Sequence, residues 1–339
     1  MRLRVGPFAY PVVTMKAAMH DRYGPPDVVE IREIPTPVPT QDQILVRVGA
    51  ASVNRADLDT LTARWGFTRL FLGLLRPKNP RLGIDVAGVV EAVGPTATTF
   101  RVGDRVFADV YGHGAGAFAE YVCAREKAFL RIPGALDLDA AATLPHSAVL
   151  AVQGLRHRGR MPQAGERVLI SGASGNVGPF AVQVAKAMGA EVTGVCSSSK
   201  TAFVRSLGAD HVIDYTHVDY TRAKERYDWI LDVDGHHSIV SARRALRPGG
   251  VYLSLGGPGR RMLEYLFVAP ILNRVSDRHA GIMLAWSPFK TADVEYLLGL
   301  IAEGRLRTSI DRRFPLDQVA DALRWVDDGR ATGKAIVQP

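Results

Sequence analysis

Ala173, Gly175 and Gly178 stand in A-x-G-x-x-G spacing within the run GASGNVG. Such a turn can hold a pyrophosphate. Gly175 has no side chain to keep the phosphates from the backbone, and Gly178 lets a following helix pack close to the preceding strand. Ser174, Asn176 and Val177 complete the turn, and the helix N-terminus behind it adds unpaired N–H groups and partial positive charge. Ala173 takes the place of the usual first glycine, so the fingerprint is a variant. Further on, residues 197–200 read Ser-Ser-Ser-Lys, and no Asp or Glu occurs between 192 and 200. A carboxylate there would hold a ribose 2′-hydroxyl and repel a 2′-phosphate, whereas hydroxyls and a cation suit the phosphate. Ser197, Ser198 and Lys200 therefore point to NADPH.

The elements that must position these residues can be read around them. Residues 168–170, Val-Leu-Ile, form a short apolar run of the kind buried in a parallel sheet. Apolar Val177, Phe180, Ala181, Val184, Ala185 and Met188 follow at spacings of three and four, the period of a helix. Gly189 closes that helix, and residues 192–195 make the second strand of a βαβ unit. Further strands are expected near 212–213, 229–233, 251–255 and 282–285, with helices near 199–207, 236–246 and 290–303. This alternation predicts a doubly wound parallel sheet of six strands.

Residues 15–135 have a different texture. Strands are expected at 16–19, 28–34, 44–54, 83–93, after 100–106, and at 117–122, with a proline-rich connector at Pro35, Pro37 and Pro39. Glycines at the corners suit a barrel-like domain. Residues 138–155 are mostly Ala, Leu and Val, interrupted by Pro145, and read as two helices bridging the halves. The tail from 308 is expected to form a helix from 314 through Trp325, then a strand at 335–338 that returns to the first sheet.

The chain has 339 residues, 47% hydrophobic and 22% charged, within the range of ordinary globular proteins. Net charge is +8 and pI about 9.6, but the arginines are scattered and no nucleic-acid module is recognisable, so a solvated basic surface is the reading taken. No apolar run reaches the length of a membrane span. Cys123 and Cys196 are too few for a disulfide framework and fit no metal motif, which suggests a reducing cytoplasm. Residues 1–14 lack a real apolar signal core and read as a loose extension.

The segments AASVNRAD (50–57), GIDVAGVVEAVG (83–94), VGDRV (102–106), GAFAEYV (116–122), GASGNVG (172–178), LGADHVIDY (207–215), RPGG (247–250) and GKAIV (333–337) carry a wider pattern. With them the chain resembles the zinc-free quinone oxidoreductases, the zeta-crystallin-like branch of the medium-chain dehydrogenase/reductase superfamily. The resemblance implies an α/β protein. Its GroES-like β-barrel catalytic domain would take residues 15–135 and 308–339, and its NADPH-binding Rossmann domain residues 136–307. It implies a reductase of quinones or α,β-unsaturated carbonyls, a homodimer joined through edge strand 282–285, and a cofactor lying in the interdomain cleft. Tyr215 would join Ser197 and Lys200 around the 2′-phosphate. Val233, Leu255 and Gly256 would line the nicotinamide side, and Lys334 would approach the cofactor.

Zinc alcohol dehydrogenases of the same superfamily need Cys, His and a further ligand to polarise a substrate oxygen. The first cysteine position is Asn54 here, and the His position is Ile84; no metal is expected. Asn54 then has two readings: an amide donor that stabilises negative charge on the substrate oxygen, or a turn residue at a strand end. Asp57 would fix the local backbone or orient Asn54. No side chain is assigned as proton donor, and His146, His236 and His237 read as structural or solvated. An apolar substrate pocket would draw on Trp65, Phe67 and Leu70 on one side and Tyr265, Phe267 and Trp286 on the other. Two rivals share the fold: an enoyl-thioester reductase of lipid or polyketide synthesis, and an NADPH-binding protein with little turnover.

Overall fold

The computed structural model describes residues 13–283 and 289–339. Residues 1–12 of the expected extension, Trp286, and the last part of the expected strand 282–285 lie outside that description. The chain opens with a hairpin of β1 (Thr14–Met19) and β2 (Glu30–Pro35), paired antiparallel in the register Thr14↔Pro35 to Met19↔Glu30. β3 (Gln43–Ser52) follows, and its alternating Ile44, Val46 and Val48 are buried in the barrel core. Helix α1 (Arg55–Thr62) then follows Asn54, in a stretch for which the sequence offers no element, with Leu58 and Leu61 buried beneath it. A short α2 (Arg69–Leu72) precedes β4 (Asp85–Val93), β5 (Arg105–Asp109), β6 (Tyr121–Arg125) and β7 (Leu130–Arg131). The strand expected at 117–122 is therefore displaced, because β6 takes its register from β3, with Gln43 opposite Arg125 and Arg47 opposite Tyr121.

Residues 138–155 form two helices on either side of Pro145, α3 (Leu138–Ala142) and α4 (Ser147–Gly154). α3 packs on β3 and β4, while α4 packs against the helices of the second sheet. That second sheet begins with β8 (Arg167–Ser171), α5 (Gly178–Ala187) and β9 (Glu191–Cys196). It continues through α6 (Thr201–Ser206), β10 (His211–Asp214), β11 (Tyr227–Asp232), α7 (Ile239–Arg244) and β12 (Leu246–Ser254). Helices α8 (Gly259–Phe267) and α9 (Ala269–Leu272) lead to β13 (His279–Ile282) and α10 (Thr291–Ala302).

The six strands are all parallel in the order β10-β9-β8-β11-β12-β13. Val168, Leu169 and Ile170 of β8 are wholly buried, as a parallel strand covered on both faces requires. Strand order reverses between β8 and β11, which opens a crevice beyond the carboxyl ends of the strands there.

The tail returns to the first sheet. β14 (Ile310–Pro315) pairs parallel with β15 (Lys334–Gln338), and β15 pairs antiparallel with β3. The first sheet runs β14-β15-β3-β4-β5-β7, with β6 also on β3. Phe314 and Pro315 thus belong to a strand. The expected helix starts later, as α11 (Val319–Asp327), because pairing with β15 satisfies this segment's backbone groups first.

Candidate active site

The carboxyl ends of the parallel strands place one residue group after another along a cleft of about 640 Å³. After β8 comes the glycine turn, from which Ser174, Gly175, Asn176 and Val177 face the cleft. After β9 come Ser197 and Lys200, and after β10 comes Tyr215. Val233 follows β11, and Leu255 and Gly256 follow β12. The opposite wall comes from the other sheet. Asn54 ends β3 and begins α1, Trp65 follows α1, Tyr111 follows β5, and His146 and Ser147 begin α4.

The turn differs in one respect from the sequence expectation. Gly172, one place before Ala173, takes the left-handed backbone at φ +76°, a conformation that suits glycine. Ala173 is wholly buried beneath the turn and does not face the cleft. Gly178 is also inside: a Cβ there would lie 2.2 Å from the Gly172 carbonyl oxygen, so it serves helix packing. At Gly175 a Cβ would meet nothing nearer than the Gly172 oxygen at 3.6 Å. The space that this Cβ would fill faces the cleft, at the N-terminal end of α5, and it fits a pyrophosphate.

Two of the residues read as 2′-phosphate ligands are partly committed. The Ser198 hydroxyl donates to the Asp214 carboxylate and turns away from the cleft. Lys200 Nζ donates to the carbonyls of Gly329 at 2.6 Å and Ala331 at 2.7 Å, and burial lowers its pKa. An ammonium has three donors, and Lys200 still lines the cleft beside Ser197.

Asn54 is held from every side. Its Nδ2 donates to the Ser52 carbonyl at 3.2 Å and to Asp85 Oδ2 at 2.9 Å. Its Oδ1 accepts from Lys334 Nζ at 2.6 Å and from the Ser147 hydroxyl at 2.9 Å. Two donors on one atom and two acceptors for the other fix the amide orientation. Both Nδ2 hydrogens are therefore used inside the protein. The expectation that this amide donates to a substrate oxygen does not survive the geometry, because a bond to substrate would strand the buried Asp85 carboxylate. Lys334 is fully buried behind Asn54, 3.7 Å from Asp85 Oδ2, and does not line the cleft.

Asp57 supports the same corner, accepting from the Asn54 backbone N–H at 2.8 Å. Burial pushes its pKa up to about 7, against the Asn54 hydrogen bond, and the charge of Asp85 adds to the rise. Burial also raises Asp85, to about 6, with Lys334 opposing. Burial lowers the pKa of Lys334 itself.

His146 belongs to the cleft wall, not to the surface or the plain core. Its Nδ1 lies 3.0 Å from Asp109 Oδ2, and it lines the cleft near Asn54. Tyr111, whose N–H donates to Asp109 Oδ1 at 2.9 Å, stands nearby. Burial, aided by the Asp109 charge, raises the Tyr111 pKa, so its phenol stays protonated at neutral pH. The sequence reading names His146 only as structural or solvated and does not single out Tyr111. The signal lay in two places far apart, the Asp-Val-Tyr run after one strand and the Pro-His before a helix, and spacing could not join them.

Of the substrate-pocket residues, Trp65 lines the cleft, with Nε1 donating to the Gly257 carbonyl at 3.1 Å across it. Phe67 stacks on Trp65 outside the cleft and is half exposed. Tyr265 is buried elsewhere, its hydroxyl 2.7 Å from that of Tyr252, and it borders a separate cavity beside β13. Phe267 points outward, 68% exposed, because it lies on the solvent face of α8. The cleft's apolar wall instead uses Leu72, Leu150, Met262 and Ile282. Among the described residues no three His, Cys, Asp or Glu side chains are arranged to hold a metal ion.

Comparison with known proteins agrees with this architecture. A family model described as alcohol dehydrogenase GroES-like domain matches residues 40–134, and one described as zinc-binding dehydrogenase matches residues 207–337. The chain is 30% identical to a chloroplast envelope quinone oxidoreductase homolog of Arabidopsis thaliana, covering 96% of this chain and 98% of that one. It is also 30% identical to an Arabidopsis thaliana NADPH-dependent alkenal/one oxidoreductase, over 96% of this chain and 80% of the other. The solved quinone oxidoreductase from Coxiella burnetii superposes with a TM-score of 0.85 at 28% identity, covering 96% and 100% of the two chains.

Proposed function

The chain belongs to the medium-chain dehydrogenase/reductase superfamily, in its zinc-free quinone oxidoreductase branch, and from that premise we propose a zinc-independent, NADPH-dependent reductase of quinones or α,β-unsaturated carbonyls. The observation that carries the proposal is the convergence on one cleft of an open glycine turn, a Ser197–Lys200 pair with no carboxylate at the end of β9, and an apolar wall. The family and the nucleotide turn make it an NAD(P)H-type oxidoreductase; Ser197, Lys200 and Tyr215 favour the phosphorylated nucleotide. Residues 15–135 with 308–339 are read as the catalytic domain and 136–307 as the nucleotide domain. The edge of β13 that carries no strand among the described residues is read as the site of homodimer pairing, and the protein as cytoplasmic.

Bound NADPH would supply hydride. The chain's own residues do the rest. Backbone N–H groups of Asn176 and Val177 would hold the pyrophosphate at the head of α5, with Gly175 leaving room for it. Val233, Leu255 and Gly256 set the nicotinamide side of the cleft, and Trp65, Leu72 and Leu150 keep the acceptor in a dry, flat space. Asn54 positions the floor through Ser147, Lys334 and Asp85, and its amide hydrogens go to Ser52 and Asp85, not to the acceptor. Zinc independence follows from Asn54 and Ile84, since an amide tied in four hydrogen bonds and a buried isoleucine replace two metal ligands. His146, oriented by Asp109, is the proton source.

Titration with NADPH and NADH, followed by turnover with 1,4-benzoquinone, 2-alkenals and crotonyl-CoA, tests the reading. NADPH preference with quinone or alkenal turnover is expected. Preference for the thioester would favour an enoyl-thioester reductase, and tight binding without turnover would favour a binding protein. Lys200→Ala should weaken NADPH by about 2 kcal/mol, roughly thirtyfold in Kd, with little change for NADH. Equal losses for both nucleotides would remove the 2′-phosphate assignment.

A further inference from the structure

The segment from 60 to 84 has an unusual composition. It holds five cations, Arg64, Arg69, Arg76, Lys78 and Arg81, and no Asp or Glu. The same stretch turns large apolar side chains into solvent: Leu70 is 68% exposed, Phe71 75%, Leu74 65% and Leu75 87%. Scattered exposed leucines need no explanation, but four within six residues, bracketed by Arg69, Arg76 and Lys78 on the exposed surface, form a patch. The patch is fastened to the body. The Tyr23 hydroxyl donates to the Gly73 carbonyl at 2.8 Å, and the Arg69 guanidinium lies 4.9 Å from the Tyr23 ring centroid. Asp21 lies close enough to feel Arg76, yet its strongest partner is Arg32, so the cationic excess stands.

The inner side of this segment is cleft wall. Arg64, Trp65, Thr68 and Leu72 line the cleft, while Leu70, Phe71, Leu74 and Leu75 point away from it. Phe67 stacks on Trp65 at a centroid distance of 6.5 Å and is 51% exposed, which gives a continuous apolar path from surface to cleft. Apolar tips surrounded by cations, with no acid among them, complement one kind of surface: anionic headgroups above hydrocarbon.

We propose that the exposed face of residues 67–78 docks the protein on an anionic lipid bilayer, with the mouth of the cleft against the membrane. No helix of the described residues is long and apolar enough to cross a membrane, so the attachment is peripheral and reversible. Docking stands on the surface alone. Its consequence, that lipid-dissolved acceptors reach the cleft without crossing water, rests on the redox reading above.

Co-sedimentation with vesicles tests the docking without any nucleotide or acceptor. The full chain is mixed with phosphatidylcholine vesicles, with and without phosphatidylglycerol, at low and high salt. Binding is expected to the phosphatidylglycerol vesicles alone and to fall with salt. Phe71→Ser with Leu75→Ser should reduce the partition coefficient by about tenfold or more, as should the charge reversal Arg76→Glu with Lys78→Glu. Turnover of a water-soluble benzoquinone serves as the folding control and should be unchanged in both variants. Absence of vesicle binding by the wild type, or full binding by both variants, overturns the proposal. So does self-association in sedimentation equilibrium that the serine variant abolishes, because a second copy of the chain would then be the occupant. If vesicle binding holds but no quinone or enone is turned over, the docking stands and the redox reading fails.

Discussion

At the scale of single residues, the corner beneath Asn54 is where charge and burial conflict. Asp57, Asp85 and Lys334 are all buried, and Asp57 Oδ1 and Asp85 Oδ1 have no hydrogen-bond partner among the described residues. Asp57 has its pKa moved from 3.8 to about 7. A carboxyl whose folded pKa is raised gives its full stability below the unfolded pKa and loses it as pH rises through the folded one. At 1.36 kcal/mol for each pH unit, the interval amounts to on the order of 4 kcal/mol lost between about pH 4 and pH 7. Asp57→Asn keeps an acceptor for the Asn54 N–H and removes the charge. Urea unfolding at pH 4.5 and pH 8 should show the variant gaining on wild type at pH 8 and matching it near pH 4.5; equal pH profiles would refute this account. His146 gives the second residue-scale prediction. His146→Ala should lower kcat with 2-alkenals about a hundredfold or more while leaving the NADPH Kd nearly unchanged, as measured by fluorescence titration. Asn54 was legible from sequence as a residue that matters, but the direction of its amide was not. A hydrogen-bond partner 280 residues away, Lys334, decides where the Asn54 amide points.

At the scale of elements, the βα turn separates two uses of glycine that one motif conceals. Gly178→Ala would drive a Cβ into the Gly172 carbonyl, costing about 2 kcal/mol or more of stability. Gly175→Ala meets no close atom, so thermal or urea unfolding should move by less than about 0.5 kcal/mol. NADPH binding should nevertheless weaken by about 1.4 kcal/mol, tenfold in Kd. If both variants lost stability alike, the open cradle at Gly175 would be misassigned. The parallel strands and α5 were readable because buried runs and a 3.6-residue period report their own surroundings. Helix α1 was not, because its eight residues have too little apolar periodicity and its capping depends on the Asp57 carboxylate reaching back to the Asn54 N–H. β14 was hidden because its backbone is satisfied by a strand that lies beyond α11.

At the scale of the whole molecule, the tail closes the structure. β15 sits between β14 and β3, Lys334 reaches beneath Asn54, the Gly333 N–H donates to the Ser174 carbonyl at 3.1 Å, and Lys200 grips the carbonyls of Gly329 and Ala331. The Asn176 amide crosses in the other direction, to the Val53 carbonyl at 3.2 Å. Deletion of residues 330–339 should therefore abolish soluble folding as judged by gel filtration, since it bares two strand edges and leaves Asp85 without its lysine. A monodisperse, NADPH-binding truncated chain would contradict this. By itself the sequence determined the class of the parallel strands and of α5, the glycine turn and the absence of a carboxylate after the second strand, since these depend on residue type and local period. Only the tertiary structure decided that Asn54 looks inward, that His146 and Asp109 meet, that Tyr265 belongs to another cavity, and that the segment after Trp65 is apolar on its outer side. Each of those outcomes depends on which distant groups compete for the same buried atoms, and no local pattern records that competition.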